Sequence, residues 1–246
     1  IHTREDLEKS FKNLDVLGEV PYLEDVSSLM DARGGFAESA RIIRSNISYK
    51  LPEDGGCKVI LATSSIKGEG KTLNAFNMAN SYVCSGKKVL LIGADLRNPQ
   101  IHNILGYNRK STDKGLSSLL VDSALSPKAH ISKVMGSFDG TLDILYSGPI
   151  PPNPAELLGS KAFTGLLDLL KNDYDYIFID SAPLLLVSDS IPLIKYADLV
   201  LYTTRADYTD KKIAPFVLKL IKDKEIKNFG LVLNGIKTGA RSYYQY

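Results

Sequence analysis

The sequence predicts an α/β fold, a mostly parallel sheet flanked by helices, with a helical extension at the amino end. Three observations carry this. Short apolar runs of strand length recur along the chain, helical patterns separate them, and the runs are apolar throughout, as strands covered on both faces are. At 246 residues the chain has room for one large domain or two small ones. Its 44% hydrophobic and 24% charged residues are those of an ordinary soluble globular protein.

The elements follow in order. Thr3 and Asp6 stand at capping-box spacing, which predicts a short helix over about residues 4–13. "VLGEVPYLEDV", punctuated by Gly18 and Pro21, reads as an irregular linker. Phe36, Ala40, Ile43 and Ile47 then fall at helical spacing. "KVILATSS" is a strand, and "TLNAFNMANSYVCSG" a helix closed by Gly86. "KKVLLIGAD", "LDILYSG", "YDYIFIDSA", "ADLVLYTTRA" and "FGLVLNGI" are further strands. One leucine-striped helix over "PAELLGSKAFTGLLDLLKND" and another near 210–223 complete the alternation.

Composition also excludes. A net charge of +2 gives no argument for a nucleic-acid partner. Cys57 and Cys84 show no spacing pattern, so neither a disulfide scaffold nor a zinc site is implied, and two reduced core thiols are expected. No apolar run reaches the roughly 18 residues of a membrane span. The chain begins at Ile1 rather than Met, which reads as a soluble fragment of something longer.

The strongest chemical signal is "SSIKGEGKT", set between the first apolar strand and its helix. Gly68-Glu69-Gly70-Lys71-Thr72 matches the end of a Walker A loop, so the fold class sharpens to P-loop NTPase-like. Small residues let successive backbone N–H groups turn inward as an anion nest, and the following helix aims its positive end at phosphate. Ser65, Ile66 and Lys67 open the loop, with Ser65 standing where the pattern has glycine. Lys71 reaches phosphate as a mobile charge, and the Thr72 hydroxyl ligates Mg²⁺. ATP and Mg²⁺ are therefore the expected cofactors.

A phosphate loop needs carboxylates at neighbouring strand ends. Asp180 closes "YDYIFID" as a Walker B aspartate, and Asp95 follows the strand in "VLLIGADLRNP". Arg97 reads either as a salt-bridge partner or as a charge on transferred phosphoryl oxygens. Arg205 and Asn234, at the ends of the last two strands, are candidate nucleotide contacts, although asparagine before glycine is as often a turn residue. Glu38, Arg41 and Arg44 share one face of their helix, where intrahelical ion pairing is the plain account.

"SSIKGEGKT", "VLLIGADLRNPQIH", "GPIPPNPAELLGS" and "YDYIFIDSAPLLLVSDS" together resemble bacterial tyrosine kinases, the P-loop autokinases attached to polysaccharide co-polymerases. The resemblance spans nearly the whole chain. It implies a kinase domain at the cytoplasmic face of the bacterial inner membrane, following a membrane-anchored chain-length-determinant region. Residues 1–52 become a juxtamembrane linker with an oligomerisation helix, 53–240 the kinase domain, and 241–246 the start of a tyrosine-rich tail. Lys71 and Thr72 then hold phosphates and Mg²⁺, Asp95 and Asp180 hold the metal, and Glu38, Arg41 and Arg44 close a homo-oligomeric ring. Tyr243, Tyr244 and Tyr246 become substrates presented to a neighbouring subunit, with a cognate tyrosine phosphatase as a further partner.

Two departures matter. The family's second motif carries two aspartates two residues apart, the first of which the resemblance gives the task of activating the tyrosine hydroxyl, and Gly93 stands here in its place. Either Asp95 takes both tasks, no base is needed, or the chain is a pseudokinase. Lys67 sits one residue late for the second lysine of the related partition ATPases, and reads as solvent-facing. A partition or septum-positioning ATPase and a nucleotide-binding scaffold without kinase activity are the alternatives.

Overall fold

Apolar runs too short for helices settle, among the described residues, into one eight-stranded sheet, because a central strand can satisfy its backbone only by pairing on both edges. The computed structural model describes residues 1–23, 34–51, 55–108, 110, 113–135 and 140–237. The strands are β1 (Asp15–Pro21), β2 (Lys58–Ser64), β3 (Val89–Gly93), β4 (Ile131–Met135), β5 (Thr141–Leu145), β6 (Tyr176–Asp180), β7 (Leu199–Arg205) and β8 (Phe229–Ile236). Their order across the sheet is β1-β8-β7-β2-β6-β3-β5-β4. All neighbours run parallel except β4, which pairs antiparallel with β5.

The helices are α1 (Arg4–Ser10), α2 (Gly35–Lys50), α3 (Lys71–Val83), α4 (Ile101–Ile104), α5 (Leu116–Val121), α6 (Pro154–Leu158), α7 (Lys161–Leu170) and α8 (Ala214–Asp223). Successive strand residues feed opposite cores, as the two-residue period requires. Val59, Leu61, Ile177 and Ile179 pack with Leu7, Phe163, Leu167 and Val217 on one face. Ile60, Ala62 and Phe178 pack with Ile43, Phe76 and Ala79 on the other. The expected capping box is present at α1, with the Thr3 side chain accepting from the Asp6 N–H and the Asp6 carboxylate accepting in return. The mostly parallel sheet flanked by helices is therefore as the sequence predicted.

Several local expectations need correcting. The "irregular linker" contains β1, an edge strand parallel to β8 with Val16, Leu17 and Val20 buried. Register shifts at Val16/Gly18 and Val20/Pro21 absorb the glycine and proline that mask it in the sequence. The first helix ends at Ser10 instead of 13, with Asn13 in the left-handed region. The single helix expected over 154–173 is two, broken at Gly159, and the Ser160 hydroxyl caps the second by accepting from Phe163 N–H at 3.2 Å. Strand β4 and the 3₁₀ segment Ser188–Tyr196 were not anticipated. The two thiols are half-buried rather than core residues, and burial pushes the Cys57 thiol up to about 11. No helix among the described residues is long and apolar enough to cross a membrane.

Candidate active site

Strand register brings the acidic and phosphate-loop motifs to one place. On β2 and β3 respectively, Ala62 and Gly93 both sit opposite Asp180 of β6. The P-loop leaves β2 at Ser64, and α3 starts at Lys71, immediately after Gly70 at φ +94°. Asp95 follows β3 by two residues, so both aspartates stand at carboxyl strand ends beside the helix amino end. Parallel α/β sheets place ligands there.

Lys71, Asp95, Asp180 and Thr72 are all buried. The Lys71 ammonium lies 3.0 Å from Asp95 Oδ2, 3.2 Å from Asp180 Oδ1 and 3.2 Å from Thr72 Oγ1. Thr72 Oγ1 donates to Asp180 Oδ1 at 3.1 Å. Burial alone would lower the Lys71 pKa, but the two carboxylates and their hydrogen bonds outweigh it and hold the ammonium charged. Burial raises Asp180, with the Lys71 charge opposing and the Asp95 charge reinforcing. One cation against two carboxylates leaves excess negative charge. Together with the Thr72 hydroxyl this is an all-oxygen donor set of the kind Mg²⁺ prefers when substrate phosphates complete its shell.

A cavity of about 340 Å³ opens above these groups, lined by the loop residues Ile66, Lys67, Gly68 and Gly70, by Asp95 and Arg97, and by Ile104, Pro183 and Leu186. Lys67 is exposed at its rim, as expected. Ser65 is fully buried, its hydroxyl 2.5 Å from that of Tyr202. Arg97 is turned to the buried Asp189, at 2.6 Å and 3.1 Å, and so takes the salt-bridge reading in this structure. Asn234 donates to the Glu69 carbonyl and Arg205 to the Gly68 carbonyl, each at 2.9 Å. Both therefore meet the P-loop itself.

Sequence reasoning missed four residues. Asp189 gives no local signal, being one carboxylate between two serines in a largely apolar stretch, 92 positions from its partner. Tyr208 and Thr209 follow a strand end, where polar residues are commonplace, yet they contact Lys67 and Glu69. Ser147 fills the space beside Gly93, since a Cβ at 93 would lie 2.7 Å from Ser147 Oγ.

The candidate assembly residues separate. Glu38 and Arg41 form an exposed i,i+3 pair at 2.5 Å. Arg44 instead donates to the Ser81 carbonyl and, at 3.2 Å, to its hydroxyl, with its guanidinium 6.0 Å from the Tyr82 ring centroid. Tyr243, Tyr244 and Tyr246 lie outside the described residues.

Known proteins resemble this chain in sequence and fold. A family model described as an AAA domain matches residues 57–228. The chain is 35% identical over 222 residues to the tyrosine-protein kinase YwqD of Bacillus subtilis, covering 90% of both chains. It is 32% identical over 213 residues to the putative tyrosine-protein kinase CapB of Staphylococcus aureus, covering 85% of this chain and 89% of that one. Against tyrosine-protein kinase etk of Escherichia coli it covers 85% of its own length but 28% of the relative's, at 28% identity. Among solved structures, the chimerical protein CapA2B2 superposes with TM-score 0.83 at 32% identity, covering 96% of this chain and all of that one. The kinase domain of the E. coli kinase ETK reaches 0.85 over the whole of this chain and 99% of that one, at 24% identity, where the likeness speaks for the fold alone. A Walker A lysine between two strand-end aspartates, on a fold and sequence shared along most of the chain with these proteins, places it in the family of bacterial P-loop tyrosine-protein kinases.

Proposed function

We propose that the chain transfers the γ-phosphoryl group of ATP to tyrosines of its own tail, presented by a neighbouring copy. The observation that carries this is the buried Lys71–Asp95–Asp180–Thr72 cluster at the mouth of the P-loop. In the transfer, the bond from the γ-phosphorus to the bridging oxygen of ADP breaks. A bond from that phosphorus to the tyrosine Oη forms, and the phenolic proton passes to Asp95. Lys71 exchanges carboxylate partners for phosphate oxygens, following charge as it develops. Thr72, Asp95 and Asp180 would hold Mg²⁺, which supplies charge neutralisation on the phosphates. Asp95 thus takes both the metal and the proton tasks that the resemblance divides between two aspartates.

Solved relatives of this fold support the cofactor reading. Cobyrinic acid a,c-diamide synthase from Mycobacterium smegmatis, with bound ATP analogue and magnesium, matches at TM-score 0.61 and 18% identity, covering 76% of this chain and 75% of that one. Purified protein carrying residues 238–246, incubated with Mg·ATP, is expected to gain phosphate on Tyr243, Tyr244 or Tyr246 by mass spectrometry. Tyrosines that stay unmodified would sink the kinase reading and leave the scaffold alternative.

In this proposal the kinase works at the cytoplasmic membrane face, beside a chain-length-determinant partner and a cognate phosphatase, in polysaccharide synthesis. Assembly into a ring rests on α2. Because Arg44 is engaged with α3, Arg41, paired with Glu38 at the surface, is the probe. Arg41→Ala should lower the oligomer mass seen by light scattering while melting within about 2 °C of wild type, a solvated ion pair contributing little. An unchanged mass removes α2 from the interface.

A further inference from the structure

We infer that the phosphate nest is held open by a brace of side chains, Tyr208, Arg205 and Asn234, acting on three successive P-loop carbonyls. Tyr208 Oη donates to the Lys67 carbonyl, Arg205 Nη1 to the Gly68 carbonyl and Asn234 Nδ2 to the Glu69 carbonyl, each at 2.9 Å. All three donors come from one side of the loop: the end of β7, the turn after it and the end of β8.

A trans peptide is planar, so the N–H of each following residue points away from the carbonyl before it. Fixing the carbonyls of 67, 68 and 69 on one side therefore turns the N–H groups of Gly68, Glu69 and Gly70 to the other. Among the described residues those three N–H groups donate to no protein acceptor. The cavity beside Lys71 and Thr72 lies on that side, lined by Gly68 and Gly70. Gly68 at φ +90° and Gly70 at φ +94° supply the turns that make successive N–H groups converge.

Glu69 anchors the brace from beneath. Its fully buried carboxylate accepts from the Ser65 N–H at 2.6 Å, the Ile66 N–H at 2.9 Å and the Thr209 hydroxyl. The first two loop N–H groups are thus taken into the protein, and the nest begins after them. Thr209 also accepts from the Arg205 N–H at 2.8 Å, and the Arg205 guanidinium lies 5.3 Å from the Tyr208 ring centroid. One five-residue turn therefore delivers the carboxylate anchor and two of the three carbonyl donors. Tyr208, Arg205 and Asn234 are positioning residues for phosphate, distinct from readers of the base.

This inference rests on the nucleotide-binding reading above, and phosphate-only binding separates the two. Tyr208→Phe removes one hydroxyl from a half-exposed ring, and Tyr208→Phe with Asn234→Ala removes two donors. Calorimetric titration is made with Mg·ADP and with Mg·pyrophosphate, alongside a melting curve. The single variant should weaken both ligands equally, by about five-fold, and the double by about ten-fold or more. A variant that weakens ADP but not pyrophosphate would make these side chains base or ribose contacts and overturn the brace. So would a double variant that melts like wild type and binds both ligands as tightly. Wild-type protein that binds neither ligand would instead sink the nucleotide reading itself.

Discussion

Lys71→Met is expected to cut tyrosine phosphorylation by about 10³-fold or more, the largest effect of any single change in the site. The ammonium is buried against two carboxylates and the Thr72 hydroxyl. Methionine keeps an unbranched side chain one atom shorter and loses the charge, so the phosphates meet two aspartates without the lysine cation between them. Two consequences separate in experiment. Phosphotyrosine formation in Mg·ATP, followed by mass spectrometry, should fall to background, and Mg·ADP affinity should fall with it. Stability is a different matter, because the removal leaves Asp95 and Asp180 buried and uncompensated. Burial already raises Asp180, and without Lys71 only the Thr72 hydrogen bond is left to oppose it. The variant should therefore bind a proton at Asp180 more readily than wild type does. A Lys71→Met protein that phosphorylates its tail at the wild-type rate would refute the assignment of the site.

The P-loop was legible because the chemistry is local. An anion nest, a lysine and a hydroxyl must lie within eight residues of one another, between a strand and a helix, and nothing distant can substitute. Asp95 and Asp180 were nearly as legible, since apolar strands ending in a carboxylate announce themselves. What supports the loop was not. Arg205 and Asn234 were visible as polar residues at strand ends, but the sequence pointed them toward a nucleotide, whereas here they hold carbonyls 137 and 165 positions away in the chain. Glu69 looked like one more residue of a glycine-rich loop. Its burial depends on Thr209, and only the fold brings that hydroxyl beneath it.

Edge strands failed for a related reason. Glycine and proline in β1 read as loop punctuation, yet pairing with one neighbour, β8, tolerates bulges that a central strand would not. Five-residue β4 carries Lys133 and a half-buried pattern, too weak a signal to separate from a loop. Arg44 shows the limit of face arithmetic: helical spacing put it in line with Glu38 and Arg41, but α3 packs against that side of the stripe and engages it.

Gly93 is where the resemblance and the structure make opposed predictions, and here the structure decides the expected result. If the missing aspartate were simply lost function, Gly93→Asp would restore it. The geometry says otherwise. A Cβ at 93 would lie 2.7 Å from Ser147 Oγ, closer than packed atoms tolerate, and 3.2 Å from both the Ser147 N and Ile101 Cδ1, where the neighbours must also give by a few tenths of an ångström. The added carboxylate would also join Asp95 and the fully buried Asp180, directly opposite it on β6, with Lys71 as the cation between. Overpacking of this kind costs about 1–3 kcal/mol, and the like charge adds to it. Gly93→Asp alone is therefore expected to lower the melting temperature by roughly 3–10 °C and to slow phosphorylation. Adding Ser147→Gly removes the hydroxyl in the way, and should recover part of that melting temperature. A single Gly93→Asp variant that melts like wild type and phosphorylates faster would show that Ser147 yields easily, and that Asp95 does not carry both tasks alone.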